Sequence, residues 1–181
     1  MREHIQRKAN SFKATNEIVL KGEIVVFGST YTANFPFYEL VNKYKLENAV
    51  YNRSIEDLTL EEGYELLKDC VFAVQPKKIF LAFSERDASA SFAFPLYEKI
   101  VRKIRAELPS ATLYLICLPE DSKEFHEKIQ SLCNEKKAVS ILLANDAPSQ
   151  QNLYKIQFKQ LACFFRTNAI DFSEAFLMAN R

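Results

Sequence analysis

The chain has 181 residues, of which 48% are hydrophobic and 26% are charged, a length and composition typical of one globular domain with a well-buried core. Lys and Arg number 24 against 23 Asp and Glu, a net charge of +1, which gives no reason to expect nucleic acid or an acidic membrane surface as a partner. No apolar run approaches the roughly 18 residues of a membrane helix, and the charged start lacks the apolar stretch of a secretion signal, which predicts a cytoplasmic protein.

The first part of the chain predicts an arm followed by a strand, a turn and a helix. Residues 1–21 are polar and indicate an N-terminal arm or helix, ahead of a single domain over residues 22–181. Consecutive apolar residues at 24–27 are typical of a fully buried strand, which ends at Gly28 and is followed by Ser29 at the turn. Apolar residues then recur at helical spacing, at Phe37, Leu40, Val41 and Tyr44. Because ligands of open α/β sheets bind at the carboxyl ends of strands, Ser29 is the first candidate functional residue; the alternative is that it only caps the helix.

Strand and helix patterns alternate along the rest of the chain. Predicted strands cover residues 48–52, 78–83, 112–118 and 139–143, and a last strand ends at 169–171. The predicted helices between them include one opened by a capping box of Thr59 and Glu62, one capped by Ser122 and one beginning at Pro148 and Ser149. Such alternation produces βαβ units and a parallel sheet. The predicted fold class is α/β, a three-layer α/β/α domain with a five- or six-stranded, mainly parallel sheet in flavodoxin-like order.

The cysteines and glycines give no sign of a metal or cofactor site, and the basic residues form no cluster. Cys70, Cys117, Cys133 and Cys163 are widely separated and form no C-x-x-C pair, so buried thiols are expected and neither a metal site nor a disulfide is predicted. Only three glycines occur, whereas sites that cradle phosphates with backbone N–H groups usually depend on glycine. No cofactor and no metal are therefore predicted. Basic residues lie scattered and predict a solvated surface, at Lys43, Lys45, Arg53, Lys77 and Lys78.

Three polar loops follow the first three predicted strands of the domain. They carry Gly28, Ser29 and Thr30; Asn52, Arg53, Ser54 and Ile55; and Ser84, Glu85, Arg86 and Asp87. In this order the three segments resemble the conserved blocks of the SGNH (GDSL-like) esterases and acylhydrolases. Residues 76–80 also resemble the lead-in to the third block, and residues 113–119 and 169–171 are similar to the family's fourth and fifth strands. The resemblance extends from about residue 21 onward and implies an SGNH-hydrolase-like α/β domain.

The resemblance implies a catalytic serine and an oxyanion hole. Ser29 occupies the nucleophile position, unless Ser29 replaces the family's aspartate, in which case the hydroxyl belongs to Thr30. Ser54 stands where the family has a glycine, and Arg86 stands where it has an asparagine, with Asp87 retained beside it. The oxyanion would then be held by the N–H groups of Ser29 and Ser54 and by the Arg86 side chain. Arginine is longer than asparagine and permanently charged, so it suits a carboxylate or phosphate better than a transient oxyanion.

The family's D-x-x-H block has no counterpart here. Asp171 and Glu174 have its spacing, but a glutamate stands in place of the histidine, and the whole chain has only His4 and His126. His126 follows the fourth strand on a predicted helix among charged residues, which favours a solvated histidine over a substitute general base. Cys117, at the end of the fourth strand, is better explained as a buried thiol than as a nucleophile.

Two functions follow as hypotheses from different classes. The first is an acyl-ester or acetyl-ester hydrolase domain with degenerate catalytic machinery, weakened or lost, acting on a small-molecule ester. The alternative is a non-catalytic binding module in which Ser29, Asn52, Ser54 and Arg86 contact a small anionic or carbohydrate ligand. A purely structural role is a third option. Neither nucleic acid nor a membrane is an expected partner, and the sequence does not define the oligomeric state.

Overall fold

The computed structural model describes residues 1–88 and 92–166. The strands are β1 (Ile24–Gly28), β2 (Val50–Asn52), β3 (Lys78–Ala82), β4 (Thr112–Cys117) and β5 (Val139–Leu142). The helices are α1 (Glu3–Thr15), α2 (Thr30–Ala33), α3 (Phe37–Lys43), α4 (Leu60–Cys70), α5 (Ala93–Glu107), α6 (Lys123–Lys136) and α7 (Gln150–Arg166). Short 3-10 turns lie at Phe72–Val74 and Glu85–Asp87. The strand predicted at 169–171 lies outside the described residues.

The described strands form one parallel sheet in the order β2-β1-β3-β4-β5, which is flavodoxin-like. Alternate strand residues face opposite sides of the sheet: Val25 and Phe27 join one core cluster, and Ile24 and Val26 join the other. Helices α1, α4, α5 and α6 contribute buried side chains to the first cluster, and α3 and α7 contribute to the second. The predicted three-layer α/β/α class is therefore confirmed.

The N-terminal segment is a helix packed on the domain. Ile5 and Ala9 of α1 are buried in the first core cluster. Just before this helix, Arg2 forms a 2.7 Å ion pair with Glu62 in the first turn of α4. The predicted capping box is present, because the Glu62 N–H donates to Thr59 Oγ1 and the Glu62 carboxylate accepts from the Thr59 N–H. Burial opposes ionisation of Glu62, but the hydrogen bonds from Arg2 and Thr59 outweigh it and lower its pKa to about 2.

Two basic residues predicted to be solvated are instead buried. Arg53 is 3% exposed, and its Nη1 donates to the carbonyl of Phe12 and to Thr15 Oγ1. Lys78 is also buried; its Nζ donates at 2.6 Å to the carbonyl of Phe164, near the C-terminal end of α7, where the helix dipole favours a cation. The prediction of a solvated surface is wrong for these two residues. Their charged groups donate hydrogen bonds to oxygen atoms of residues that are remote in the sequence.

Gly28 allows β1 and β3 to approach closely at their carboxyl ends. A Cβ atom placed on Gly28 would lie 2.0 Å from the carbonyl oxygen of Ala82 and 2.6 Å from Thr32 Oγ1. A backbone oxygen in a central strand cannot move aside without distorting the sheet. The position therefore requires glycine because a side chain would clash. Backbone conformation is not the reason, since the φ of Gly28 lies outside the left-handed region.

We expect Gly28→Ala to lower the free energy of unfolding by about 3 kcal/mol or more, because overpacking here displaces a strand. Gly22→Ala is the matched control: no atom lies within 4 Å of its added Cβ, although its φ is +76°, so we expect a loss of about 1–2 kcal/mol from backbone strain alone. Urea denaturation measures both values. An equal loss in the two variants would contradict the close-approach argument.

Candidate functional site

The loops after β1, β2 and β3 lie side by side at the rim of the sheet, the edge formed by the carboxyl ends of the strands. Backbone hydrogen bonds join them, because the Ser29 N–H donates to the Ala82 carbonyl at 3.3 Å and the Ile55 N–H donates to the Gly28 carbonyl at 3.2 Å. The strand order β2-β1-β3 makes these loops neighbours. The structure thus brings together the three segments on which the sequence-based site depends.

Ser29 points into the protein. It is 2% exposed, and its Oγ is buried without a hydrogen-bond partner among the described residues. It stands at the N-cap position of α2, yet its side chain caps no backbone N–H. Asp87 is its polar neighbour, although the two do not meet in ordinary hydrogen-bond geometry. In this arrangement the Ser29 hydroxyl is closed to an incoming ester.

Thr30 is the hydroxyl-bearing residue of the first loop that lines an open pocket at the rim. Its Oγ1 accepts a 2.9 Å hydrogen bond from the Asp57 N–H and donates at 3.3 Å to the Asp57 carboxylate. Asp57 has a φ of +59°, a left-handed conformation that favours glycine and is open to aspartate. Residue 57, rather than Ser54, is thus the position of the second loop whose backbone is glycine-like.

The Asn52 side chain and the Ser54 N–H are engaged by hydrogen bonds within the protein. The Ser54 N–H donates to Asn52 Oδ1 at 3.1 Å, and the Asn52 amide donates to the Thr32 carbonyl at 2.8 Å. The Ser54 N–H assigned to an oxyanion hole by the resemblance is therefore already engaged. The Ser54 hydroxyl is buried and has no hydrogen-bond partner among the described residues.

Arg86 and Asp87 follow β3 as predicted and line the same open pocket as Thr30. The Arg86 side chain is exposed and forms no hydrogen bond or ion pair with the part of the chain that the structure describes. Asp87 accepts a 2.7 Å hydrogen bond from the Ser84 N–H. Burial raises the pKa of Asp87 to about 6, with the hydrogen bond from Ser84 opposing the rise.

His126 belongs to a polar network beneath the rim and contacts none of the loop hydroxyls. Its Nε2 lies 3.0 Å from the carbonyl of Leu118 and 4.0 Å from the carboxylate of Asp121. Asp121 is buried and accepts hydrogen bonds from Ser84 Oγ at 2.7 Å and from the Glu85 N–H at 2.9 Å. His126 is half-buried, with 23% of its side chain exposed, so the prediction of a freely solvated histidine is wrong. Its contacts are those of a structural group.

Two of the pockets formed by the described residues lie at the rim and have different walls. The pocket beside Thr30, here called the rim pocket, has a volume of about 510 Å³ and includes Arg86 and Asp87. The second, here called the α1 pocket, has a volume of about 400 Å³ and lies between α1 and the loops that carry Asn52 and Ser54. The structure thus separates the predicted ligand contacts: Arg86 faces one pocket, and Asn52 and Ser54 face the other.

The remaining candidates give no further site within the described residues. Cys117 is buried, and burial raises the pKa of its thiol to about 12, which disfavours the nucleophilic thiolate. Asp171 and Glu174 lie outside the described residues. Within residues 1–88 and 92–166, no three His, Cys, Asp or Glu side chains are placed to hold a metal ion, and no helix combines the length and apolar composition needed to cross a membrane.

Sequence reasoning missed Asp57, Asp121 and Arg2. Asp121 follows the carboxyl end of β4, so the rule that places ligands at that edge could have drawn attention to it. No comparable signal exists for Asp57, because its left-handed backbone is not marked by a glycine. Arg2 lies 60 residues from Glu62 in the chain, and such a pairing has no local pattern.

Asp87 gives a test of the polar rim. Its folded pKa of about 6 lies above its ordinary value of 3.8, so the folded state holds the proton more tightly. The stabilisation is therefore complete below about pH 4 and lost as pH rises through 6. We expect Asp87→Asn, compared with wild type, to gain about 2 kcal/mol of unfolding free energy between pH 4 and 8.

Denaturant unfolding at a series of pH values measures this difference. Glu61→Gln is the control, because Glu61 is exposed on the same pocket wall and should leave the pH profile almost unchanged. A difference between Asp87→Asn and wild type that is independent of pH would contradict the burial argument.

Comparison with known proteins supports the fold and not a closer kinship. No protein-family model and no curated protein matches the sequence. Among solved structures, a protein from Streptococcus pneumoniae assigned as a platelet activating factor has a TM-score of 0.68 at 17% identity, covering 90% of this chain and 93% of its own. A Bacteroides fragilis protein assigned as an acylhydrolase has a TM-score of 0.67 at 11% identity, covering 92% and 100%.

A two-domain esterase active on acetylated mannans has a TM-score of 0.54 at 15% identity, covering 77% of this chain and 41% of its own. Several GDSL-like lipases are similar in the same way. Identities this low establish the architecture alone. The chain therefore has the three-layer α/β/α fold of the SGNH (GDSL-like) hydrolases.

Proposed function

We propose that this protein binds a hydroxyl-rich small molecule, of the carbohydrate class, in the rim pocket and has lost ester hydrolysis. The observation that carries the proposal is the double hydrogen bond between Thr30 and Asp57. The Asp57 N–H donates to the Thr30 hydroxyl at 2.9 Å, and the Asp57 carboxylate accepts from the same hydroxyl at 3.3 Å. That hydroxyl is held as a structural group rather than presented to a substrate.

The surrounding donors and bases support the loss of catalysis. Acyl transfer needs a base for the hydroxyl and preorganised donors for the oxyanion. The N–H groups of Ser29, Ser54 and Asp57 already donate to Ala82, Asn52 and Thr30 respectively. The imidazole of His126 contacts the Leu118 carbonyl instead of a loop hydroxyl. Losing one member of a catalytic triad typically costs about 10⁴-fold in rate, so a rim without these groups should be nearly inert.

The charges of the rim pocket favour a neutral polyol over an anion. Asp57, Glu61 and Asp87 supply carboxylates, and Arg86 supplies a cation that forms no ion pair among the described residues, although its charge acts on Glu120 and opposes the rise of that group's pKa. The other cation of the wall, Arg2, is already paired with Glu62. Carboxylates accept hydrogen bonds from sugar hydroxyls, and a guanidinium donates to two adjacent oxygens. The pocket volume of about 510 Å³ is within the usual range for small-molecule sites.

One similar structure supports the same ligand class. It is the two-domain esterase active on acetylated mannans, of which this chain matches 41% at low identity. Its substrate suggests mannose oligosaccharides as the first probe for the rim pocket.

The catalytic part of the proposal is tested with p-nitrophenyl acetate. We expect wild type, Thr30→Val and Ser29→Ala to hydrolyse it at the same background rate. Catalysis needs both a general base and free donors for the oxyanion, and neither the Thr30 nor the Ser29 hydroxyl has both. Stopped-assay absorbance at several enzyme concentrations gives the rates. Turnover above background that disappears in Thr30→Val or Ser29→Ala would establish an esterase and overturn the proposal.

The binding part is tested by titrating the chain with mannotetraose in a calorimeter. We expect Arg86→Gln to weaken binding about tenfold, the value of one charge-assisted hydrogen bond. Arg102→Gln is the matched control, since Arg102 is exposed on α5 and paired with Glu98. Absence of saturable binding, or equal weakening in both variants, would contradict the assignment of Arg86 to the ligand.

A slow esterase is the second candidate, favoured by one contact. Thr30 Oγ1 donates to the Asp57 carboxylate, which is the direction of proton transfer to a general base. A carboxylate is a weaker base than imidazole, so such an enzyme would be slow. Loss of activity in both Thr30→Val and Asp57→Asn, with Ser29→Ala unaffected, would identify this arrangement.

A further inference from the structure

The α1 pocket differs in chemistry from the rim pocket. Its volume is about 400 Å³, with His4, Arg7 and Lys8 on the α1 side and Asn34, Ser54 and Glu56 on the loop side. Side chains three and four residues apart share a helix face, which explains why these α1 positions line one wall together. The opposite face of α1 carries Ile5 and Ala9 into the core. The wall is therefore held rigidly by buried packing.

The positive charges of this pocket are unneutralised within the described residues. Arg7 and Lys8 are exposed and form no ion pair there. The Lys8 ammonium lies 5.2 Å above the ring of Phe12, which leaves its donors open to a ligand. Glu56 is the carboxylate of the opposite wall, and it accepts a 3.5 Å hydrogen bond from the Asn34 amide. Two cations thus face one carboxylate that already has a neutral partner.

A buried hydroxyl supplies the independent second observation. Ser54 lines the pocket and is 4% exposed, and its Oγ has no hydrogen-bond partner among the described residues. The Ser54 N–H already donates to Asn52, so the hydroxyl is the group of Ser54 that lacks a hydrogen-bond partner among the described residues. Leaving a buried donor unpaired destabilises the folded protein. A ligand oxygen in the pocket would remove that destabilisation.

We propose that the α1 pocket binds a small phosphate-bearing molecule. Arg7 and Lys8 supply two positive charges for the phosphate dianion, and the Ser54 hydroxyl donates to one of its oxygens. Arginine presents a planar fork to phosphate oxygens and lysine a compact point charge, so the pair suits a tetrahedral dianion better than a monovalent carboxylate. Glu56 and Asn34 then accept and donate hydrogen bonds at the hydroxylated remainder of the molecule. This site is independent of the rim pocket and of its proposed carbohydrate ligand.

The test is a titration of the full chain with inorganic phosphate at low ionic strength. Binding is measured by calorimetry or by the NMR chemical shifts of the α1 amides. We expect saturable binding that Arg7→Gln and Lys8→Gln each weaken about tenfold. Lys13→Gln is the matched control, because Lys13 is exposed on α1 and absent from the pocket wall; we expect a change below about twofold. Arg86→Gln, in the rim pocket, should leave phosphate binding unchanged. Acetate should bind more weakly than phosphate.

Ser54→Ala separates a ligand contact from a structural role. We expect it to weaken phosphate binding about threefold or more while leaving the free energy of unfolding unchanged or higher, because the lost hydroxyl has no partner in the protein. Absence of saturable phosphate binding in the wild type would overturn the proposal. So would equal weakening by Lys13→Gln or by Arg86→Gln, and so would acetate binding as tight as that of phosphate.

Discussion

The approach of Gly28 to the Ala82 carbonyl is the constraint on which the arrangement of the rim depends. Because no side chain separates β1 from β3 at this point, the chain turns directly after the strand and the Ser29 N–H bonds to Ala82. That turn buries the Ser29 side chain and sends Thr30 outward. The identity of the accessible hydroxyl therefore follows from a steric fact about the sheet.

Asp57 determines what the accessible hydroxyl can do. Its N–H donates to the Thr30 hydroxyl from a left-handed backbone, and its carboxylate accepts a hydrogen bond from the same hydroxyl. A glycine at this position would still supply the N–H but would leave the place of the side chain empty. The aspartate carboxylate occupies that place and accepts a hydrogen bond from Thr30. Together with the Asn52–Ser54 hydrogen bond, this contact engages groups that the family resemblance assigns to acyl transfer. The fold of the SGNH hydrolases is thus present, with the Thr30 hydroxyl and the Ser54 N–H engaged by other groups of the protein.

The N-terminal segment lines both rim pockets, through Arg2 in the rim pocket and through α1 in the α1 pocket. Its apolar face enters the core through Ile5 and Ala9, and Arg2 ties its start to Glu62 of α4. The polar face contributes Arg7 and Lys8 to a pocket that would otherwise be bounded by loops alone. Arg2 meanwhile neutralises Glu62 beside the carboxylate-rich rim pocket. The two pockets therefore differ in charge, with cations on the α1 wall of one and carboxylates on the wall of the other.

The sequence by itself determined the elements and their class, because these depend on local patterns. The apolar run ending at Gly28, the capping box of Thr59 and the periodicity of the helices required no long-range information. That the loops share one edge also followed, since parallel strands place their carboxyl ends together, whereas the strand order β2-β1-β3 that makes them neighbours is a property of the tertiary structure. Only the tertiary structure decided that Ser29 is buried, that Arg53 and Lys78 are internal, and that Asp57 holds Thr30. Those outcomes depend on partners dozens of residues away and on one backbone torsion angle, for which the sequence carries no periodic signal.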